Sequence, residues 1–300
     1  MIRYAAGIDI GGTNTRIALV REDLQIVERI QFDTDCTDPV RNLETIKAAI
    51  DTFEENIMGA GLSCPGPLDL KKGIVLTPPN LKNWHFFPIA DTLQTMLEVP
   101  VYLENDANLA CLGEATTGAG TGADIVQYLT VSTGVGSGFV LHGDIYQGAH
   151  GFAHEIANMI LWKDGPSLGS LKKGSIESIA SGTAITQRAR EAGLFAAHAG
   201  EVAQMAVEGN QEAKQIMEEA KEYLSNGIAA LFAINDPDVI IVGGSVALKI
   251  DGFVEDIQQR VRTKVYDNLK DYVRILPAQL GDDSGLIGAA QLVFQRDKCK

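Results

Sequence analysis

Three times in this chain an apolar, strand-length run stops at a glycine-rich turn. Tyr4-Ala5-Ala6-Gly7-Ile8 runs into Asp9-Ile10-Gly11-Gly12-Thr13, and Ile125-Val126-Gln127-Tyr128-Leu129-Thr130-Val131 into Ser132-Thr133-Gly134-Val135-Gly136-Ser137-Gly138. Val239-Ile240-Ile241-Val242 repeats the design before Gly243-Gly244-Ser245. Glycines in such turns let backbone N–H groups approach phosphate oxygens. Glu104-Asn105-Asp106-Ala107-Asn108 lies between the first two turns and supplies carboxylates. Strand, glycine turn and carboxylate together suit phosphoryl transfer.

Between the turns the pattern alternates. Residues 17–20 and 25–27 read as strands, 42–56 as a helix, and 59–63, 99–103 and 138–141 as strands. Residues 211–235 place Ile216, Ala220, Leu224, Ile228 and Leu231 at three-to-four spacing, which predicts a long amphipathic helix. The order is that of an α/β chain whose architecture is doubled, as two halves facing a cleft.

Three hundred residues with 45% hydrophobic content are ample for a packed core in two domains or one large one. Lysine and arginine number 25 against 39 aspartates and glutamates, a formal charge of −14. That charge repels phosphate backbones and anionic lipid, which argues against nucleic-acid and membrane partners. It also opposes an anionic nucleotide, so a nucleotide site must rely on local backbone N–H groups, helix N-termini and a metal cation. The first residues lack the charged and apolar regions of a signal peptide. No apolar run approaches the ~20 residues of a spanning helix. Cys36, Cys64, Cys111 and Cys299 are scattered, which fits reduced thiols in a cytoplasmic protein.

The G-x-G-x-G of residues 134–138 is weak evidence alone. A dinucleotide fingerprint opens a helix, whereas Phe139-Val140-Leu141-His142-Gly143-Asp144 reads as a strand and a turn. Gly169-Ser170-Leu171-Lys172-Lys173-Gly174-Ser175 has the glycine spacing of a Walker loop but no lysine after the second glycine. A hairpin turn facing phosphate remains, with Thr13 and Thr133 as added donors.

The ordered motifs resemble those of the ROK family of repressors and sugar kinases, on the actin/hexokinase-like (ribonuclease H-like) fold. Asp9-Ile10-Gly11-Gly12-Thr13 resembles the family's first phosphate motif, Cys64-Pro65-Gly66-Pro67-Leu68-Asp69 its Pro-Gly turn, and Thr77-Pro78-Pro79-Asn80-Leu81-Lys82-Asn83-Trp84 its sugar-facing loop. Glu104-Asn105-Asp106-Ala107-Asn108 matches the catalytic motif, Ser132-Thr133-Gly134-Val135-Gly136 the second phosphate motif and Val242-Gly243-Gly244 the adenosine-side motif. Residues 280–290 close a match that covers nearly the whole chain.

The resemblance implies that Asp106 is the general base toward the sugar hydroxyl, in a reaction that depends on alignment and charge neutralisation. Before an apolar helical run, Asp106 also reads as a helix N-cap. By the same resemblance Asp9 holds Mg²⁺, through water, and Gly11, Gly12, Thr13, Asn14, Thr133, Gly134, Gly136, Gly243 and Gly244 bind ATP. Gly66, Asn80, Asn105, Asp106, Glu155, Asn158 and Glu177 would bind the sugar. Asn80 and Gly66 also read as turn residues, and Glu177 as a first-turn residue facing a helix dipole.

Typical members carry a histidine and three cysteines that bind a structural zinc. The matching positions here are Asn158, Leu168, Ser170 and Ser175, so no structural zinc is expected. His150 and His154 are too few to replace that set. Packing by Ile160, Leu161, Trp162, Leu168 and Leu171 is the expected substitute. The sugar-binding carboxylates survive as Glu155 and Glu177, with Asn158 in the place of the histidine.

The sequence thus reads as a cytoplasmic ATP- and Mg²⁺-dependent hexose kinase, EC 2.7.1 in type, acting at O6 of glucose or a related hexose. Fructose, N-acetylmannosamine and a β-glucoside remain open as substrates. A sugar-sensing regulator is the alternative of another class, disfavoured because Asp9 follows only eight residues and Asp106 is retained. The expected division is a small domain, residues 1–112 completed by a C-terminal helix over 287–300, and a large domain over 113–286. The resemblance implies a homodimer.

Overall fold

The first glycine turn closes a hairpin. β1 (Tyr4–Ile10) pairs antiparallel with β2 (Asn14–Arg21), from Tyr4 against Arg21 to Ile10 against Thr15. The Gly11 N–H closes the turn on the Asn14 carbonyl at 2.9 Å. β3 (Ile26–Asp33) adds an antiparallel edge. α1 (Pro39–Ile50) starts and stops earlier than the sequence pattern suggests. Asp38 caps it by accepting the Arg41 N–H, and Pro39 at the first helical position fixes the start. Thr52 and Phe53 then turn back onto the Ala49 and Ile50 carbonyls and end it.

β4 (Ala60–Cys64), the small β5 (Leu68–Asp69) and β6 (Ile74–Val75) hairpin, α2 (Ile89–Leu97), β7 (Val101–Asn105) and α3 (Asp106–Thr117) follow. β4 runs parallel to β1 and to β7, which gives a sheet of order β3-β2-β1-β4-β7.

The second sheet repeats this plan. β8 (Ile125–Val131) and β9 (Val135–Leu141) form the hairpin, and β10 (Asp144–Ile145) is a short strand. α4 (Ile176–Ala180), α5 (Gly182–Glu191), α6 (Ala199–Val207) and α7 (Gln211–Asn235) follow. Asn210 caps α7, which has the predicted bounds and buries Ile216, Ala220, Leu224, Ile228 and Leu231. β11 (Val239–Gly243) lies parallel to β8, and after α8 (Ser245–Lys249) and α9 (Phe253–Arg262), β12 (Ile275–Pro277) lies parallel to β11. α10 (Ser284–Lys298) ends the chain. Every residue of β4 and β11 is buried, as inner parallel strands require.

The computed structural model, which describes residues 2–78 and 81–298, comprises two compact units. One holds Met1–Thr121, Gly143–Ala153 and Asp282–Lys300; the other holds Gly122–His142 and His154–Gly281. The first unit thus extends past residue 112 because α3 is one continuous helix packed on α10. The 143–153 segment joins it through Gln147, whose amide donates to Glu104, and through the Gly143 carbonyl, which accepts from Gln295 at 2.8 Å. Among the described residues no helix is long and apolar enough to cross a membrane.

α10 lies directly on backbone. A Cβ at Gly7 or Gly61 would run into the Leu286 or Ala289 carbonyl, and one at Gly113 or Gly288 into the Ser284 or Leu109 carbonyl. Side chains at these four positions would lift the helix off both the sheet and α3.

Candidate functional site

In the first unit the parallel strands β1, β4 and β7 end side by side, with Asp9 level with Ser63 and Cys64 level with Asn105. Ligand sites of open α/β sheets form at such carboxyl ends. Asp9 accepts the Ser63 hydroxyl at 2.8 Å and lies 3.7 Å from an Arg16 nitrogen, while Arg16 also reaches Asp282 at 3.2 Å. Burial pushes the Asp9 pKa up against the opposing pull of Ser63 and Arg16. The first turn of α10 is adjacent: a Cβ at Gly285 would lie 3.8 Å from the Asp9 carboxyl carbon.

β7 turns into α3 without a loop. Asn105 is the N-cap; its side-chain oxygen accepts the Ala107 and Asn108 N–H groups at 2.9 and 3.3 Å. The capping role anticipated for Asp106 therefore belongs to Asn105, which keeps extended backbone angles while Asp106 is already helical. Asp106 accepts the Ala107 N–H at 2.8 Å, in the first turn, where the helix dipole favours negative charge. Behind it Glu104, 1% exposed, accepts the Asn105 N–H and the Asn108 amide, both at 2.9 Å, and the Gln147 amide. β4 lies between β1, which carries Asp9, and β7, which leads into Asp106, and the Cys64 thiol pKa is driven up by burial and then by Asp106 and Asp9.

Gly11, Gly12 and Thr13 form the hairpin turn, whose Gly12 carbonyl accepts the Cys36 thiol at 2.9 Å and whose Thr13 carbonyl accepts the Thr34 N–H at 2.8 Å. Asn14 opens β2 and accepts the Gln31 amide at 3.2 Å. Gly66 precedes a cis peptide to Pro67, and a Cβ there would lie 3.8 Å from the Asn105 amide nitrogen. Asn80 lies outside the described residues.

In the second unit the turn between β8 and β9 carries Thr133 and Gly134, with Gly136 already paired in β9. The start of α5 holds this turn: the Gly182 N–H donates to Ser132 O at 2.7 Å and the Thr183 N–H to Thr133 O at 3.3 Å. A cavity of about 770 Å³ opens here, lined among others by Thr133, Thr183, Arg190, His198, Ser245 and Lys249. Its volume suits a nucleoside and its phosphates. Arg190, His198 and Lys249 carry no sequence motif, so sequence reasoning missed them; the Ser181-Gly182-Thr183 step, echoing Thr133-Gly134, was the available signal. Gly243 and Gly244 serve backbone geometry: Gly244 has φ +88° against the Val131 carbonyl and starts α8, which brings Ser245 to the cavity.

Glu177, in the first turn of α4, accepts the Val135 N–H at 2.7 Å. Glu155 and Asn158 are exposed around a short 3-10 helix, Ile156–Asn158. Partial desolvation, and then Glu177, raise the Glu155 pKa above its ordinary 4.5. His154 has a left-handed φ of 62° and stacks on Phe139 at 4.4 Å, and burial lowers its pKa, which makes it a packing residue.

The four positions matching the zinc ligands do not fit a metal. Asn158 is exposed, Leu168 offers no donor, and Ser175 is fully buried as the cap of α4. Of the apolar residues expected to replace the metal, Ile160 is 57% exposed and Leu161 packs on the core. Trp162, also among them, braces the loop, stacked on Tyr223 of α7 with centroids 4.8 Å apart and planes 6° from parallel. Among the described residues no three His, Cys, Asp or Glu side chains converge on a metal position.

A model of the ROK family matches residues 5–296. The chain is 30% identical to a glucokinase of Thermotoga maritima, over 97% of each chain. The crystal structure of a ROK hexokinase from Thermus thermophilus superposes with a TM-score of 0.92 at 30% identity, covering 99% of this chain and 100% of that one. A ROK glucokinase from Streptomyces griseus, in complex with glucose and AMPPNP, gives 0.78 at 30% identity, covering 97% and 99%. The actin/hexokinase-like fold expected from the sequence is therefore the fold of this chain.

Glu155 yields a test of these electrostatics. A carboxyl with a raised folded-state pKa stabilises the protein below its unfolded pKa, and that contribution is lost as pH rises through the folded value. Glu155→Gln should therefore raise the melting temperature at pH 7 and leave it unchanged near pH 4, as read by calorimetry at both pH values. An equal change at both would refute the electrostatic origin.

Proposed function

Because this chain belongs to the ROK family, we propose that it is an ATP-dependent sugar kinase that transfers the γ-phosphate to a hexose hydroxyl, O6 of glucose or a related hexose. The observation that carries this reading is Asp106, set in the first turn of α3 by the Asn105 cap where β7 ends, with Asp9 near the end of β1 on the other side of β4 in the same sheet. The cap and buried Glu104 fix where the Asp106 carboxylate points, which is what a general base requires.

Asp106 takes the proton of the sugar hydroxyl as that oxygen attacks the γ-phosphorus, and ADP leaves. The cavity of the second unit receives the nucleoside, and Arg190 and Lys249 supply positive charge that the overall composition lacks. Asp9 fits Mg²⁺ held through water: it is a single carboxylate steadied by Ser63, and Mg²⁺ keeps several waters beside one or two carboxylates. When bound, the ion neutralises charge on the transferring phosphates. By the family resemblance Asn105 and Gly66 in the first unit are sugar-binding residues, and so, in the second unit, are Glu155, Asn158 and Glu177, whose carboxylates and amide can accept from and donate to hydroxyls.

Glucose leads the substrates because the curated relative and the liganded structure are glucokinases; N-acetylmannosamine, fructose and a β-glucoside are the alternatives. We place the reaction in the cytoplasm, which supplies ATP and keeps thiols such as Cys36, Cys64 and Cys111 reduced. A homodimer is the assembly that membership of the family suggests for this chain. Sedimentation at twice the 32.2 kDa chain mass would establish it.

Asp106→Asn should lower kcat by about 10²–10⁴-fold with sugar affinity largely kept. An assay of ADP release over hexoses, aminosugars and β-glucosides measures both this loss and the substrate; near-normal turnover in the variant would reject the base.

The protein should also work without zinc. Chelator-treated enzyme resupplied with Mg²⁺ alone should recover its full rate in the same assay, with no stoichiometric zinc by elemental analysis. Zinc whose removal abolishes folding or activity would overturn this.

A further inference from the structure

Glu177 does something that a sugar ligand does not need to do. Its carboxylate takes the Val135 N–H at 2.7 Å, and a Cβ built on Gly134 would lie 2.8 Å from the same oxygen. The opposite side of that turn is tied to the N–H groups of Gly182 and Thr183. The turn that carries Thr133 is therefore gripped from both sides, by a carboxylate of α4 and by the amides of α5.

The position of Glu177 is itself fixed by a loop clamp. Trp162 stacks on Tyr223, and the Leu161 and Trp162 N–H groups both reach the Gly174 carbonyl, at 2.9 and 3.2 Å. Gly174 has φ +69°, and any side chain there would strike the Trp162 carbonyl. The next two residues carry the clamp into α4. Ser175 is buried and caps the helix, and the Ile176 N–H donates to the Met159 carbonyl at 3.0 Å. Contacts thus run without a gap from α7 through Trp162, Gly174 and Ser175 to Glu177 and the turn.

We infer that Glu177 is a positioning residue for the nucleotide-phosphate turn, held in register by the Trp162–Tyr223 clamp, in addition to any contact it makes with sugar. This rests on the kinase reading, because the turn is taken to bind phosphate. The charge of Glu177 is unhelpful beside a triphosphate; its hydrogen-bond acceptor is what the turn uses. Glutamine keeps an acceptor and removes the charge, whereas alanine removes both.

The test is calorimetric titration of AMPPNP with Mg²⁺, without sugar, into the full-length protein and its variants. Losing one hydrogen bond to a charged group should weaken nucleotide binding about 10-fold in Glu177→Ala. Glu177→Gln should bind within about 2-fold of the parent or more tightly, by the same reckoning. Trp162→Ala should weaken nucleotide binding and Trp162→Phe restore it, because the ring rather than the indole N–H makes the stack. Thermal melts confirm that each variant is folded, and Glu177→Gln and Trp162→Phe serve if the alanine variants do not fold. Unchanged affinity in Glu177→Ala, or equal losses in alanine and glutamine variants, would overturn the inference while leaving the kinase reading intact. In the latter case charge, not acceptance, would be at work. A parent protein that binds no AMPPNP would instead bring down the kinase reading, and this inference with it.

Discussion

The first unit depends on how closely α10 lies on its neighbours. Gly7 and Gly61 strip two strands of side chains where the helix crosses them, and Gly113 and Gly288 do the same where it meets α3. Contact at backbone distance fixes three elements at once. β1 ends in Asp9, α3 begins with Asp106, and α10 itself begins beside Asp9 at Gly285. The two carboxylates of the proposed phosphoryl-transfer centre are thereby placed by packing away from the carboxylates themselves, and dense interiors transmit small displacements. Glu104 adds a polar brace: a buried carboxylate with three donors around it holds the bend from β7 into α3.

In the proposed nucleotide site of the second unit, the charge problem posed by composition has a local answer. A chain of net charge −14 offers no attractive field to a triphosphate. What it offers is geometry: a turn whose Ser132 and Thr133 carbonyls are engaged by α5 and whose Thr133 lines the cavity, and two cationic side chains, Arg190 and Lys249, at the same lining. Short-range donors and paired cations keep their strength where long-range attraction is screened by salt.

Much of this was legible in the sequence, for definite reasons. The turns could be read because glycine after an apolar run has few other uses, and α7 because its apolar residues keep helical spacing over many turns. The bounds of α1 were missed because Asp38-Pro39 sets a helix start more strongly than the apolar pattern it precedes. Beside its reading as the general base, Asp106 also reads as a cap because a carboxylate before a helix usually is one; Asn105 takes that role because the strand reaches it in extended conformation. Arg190, His198 and Lys249 were invisible, since they come from separate elements and meet only in the folded unit. The brace was legible in part: apolar content near a lost metal site points to packing by residues such as Leu161 and Trp162, but Tyr223 lies on a distant helix and nothing local marks it as the partner of Trp162.

The substitution of a stacked pair for a metal changes what kind of constraint the loop feels. A tetrahedral ion would fix four chain points by short, directional bonds. The Trp162–Tyr223 stack fixes one ring against one helix, and the remaining order comes from backbone hydrogen bonds around Gly165 and Gly174. Such a clamp tolerates sliding of the rings, since dispersion falls off gently with lateral offset, yet the short bond from Glu177 to Val135 tolerates little. On the side of Glu177, where the proposed phosphate turn must keep its shape, the restraint is thus a short hydrogen bond carried by a helix that the loop clamp sets in place, and no metal bond is needed for it.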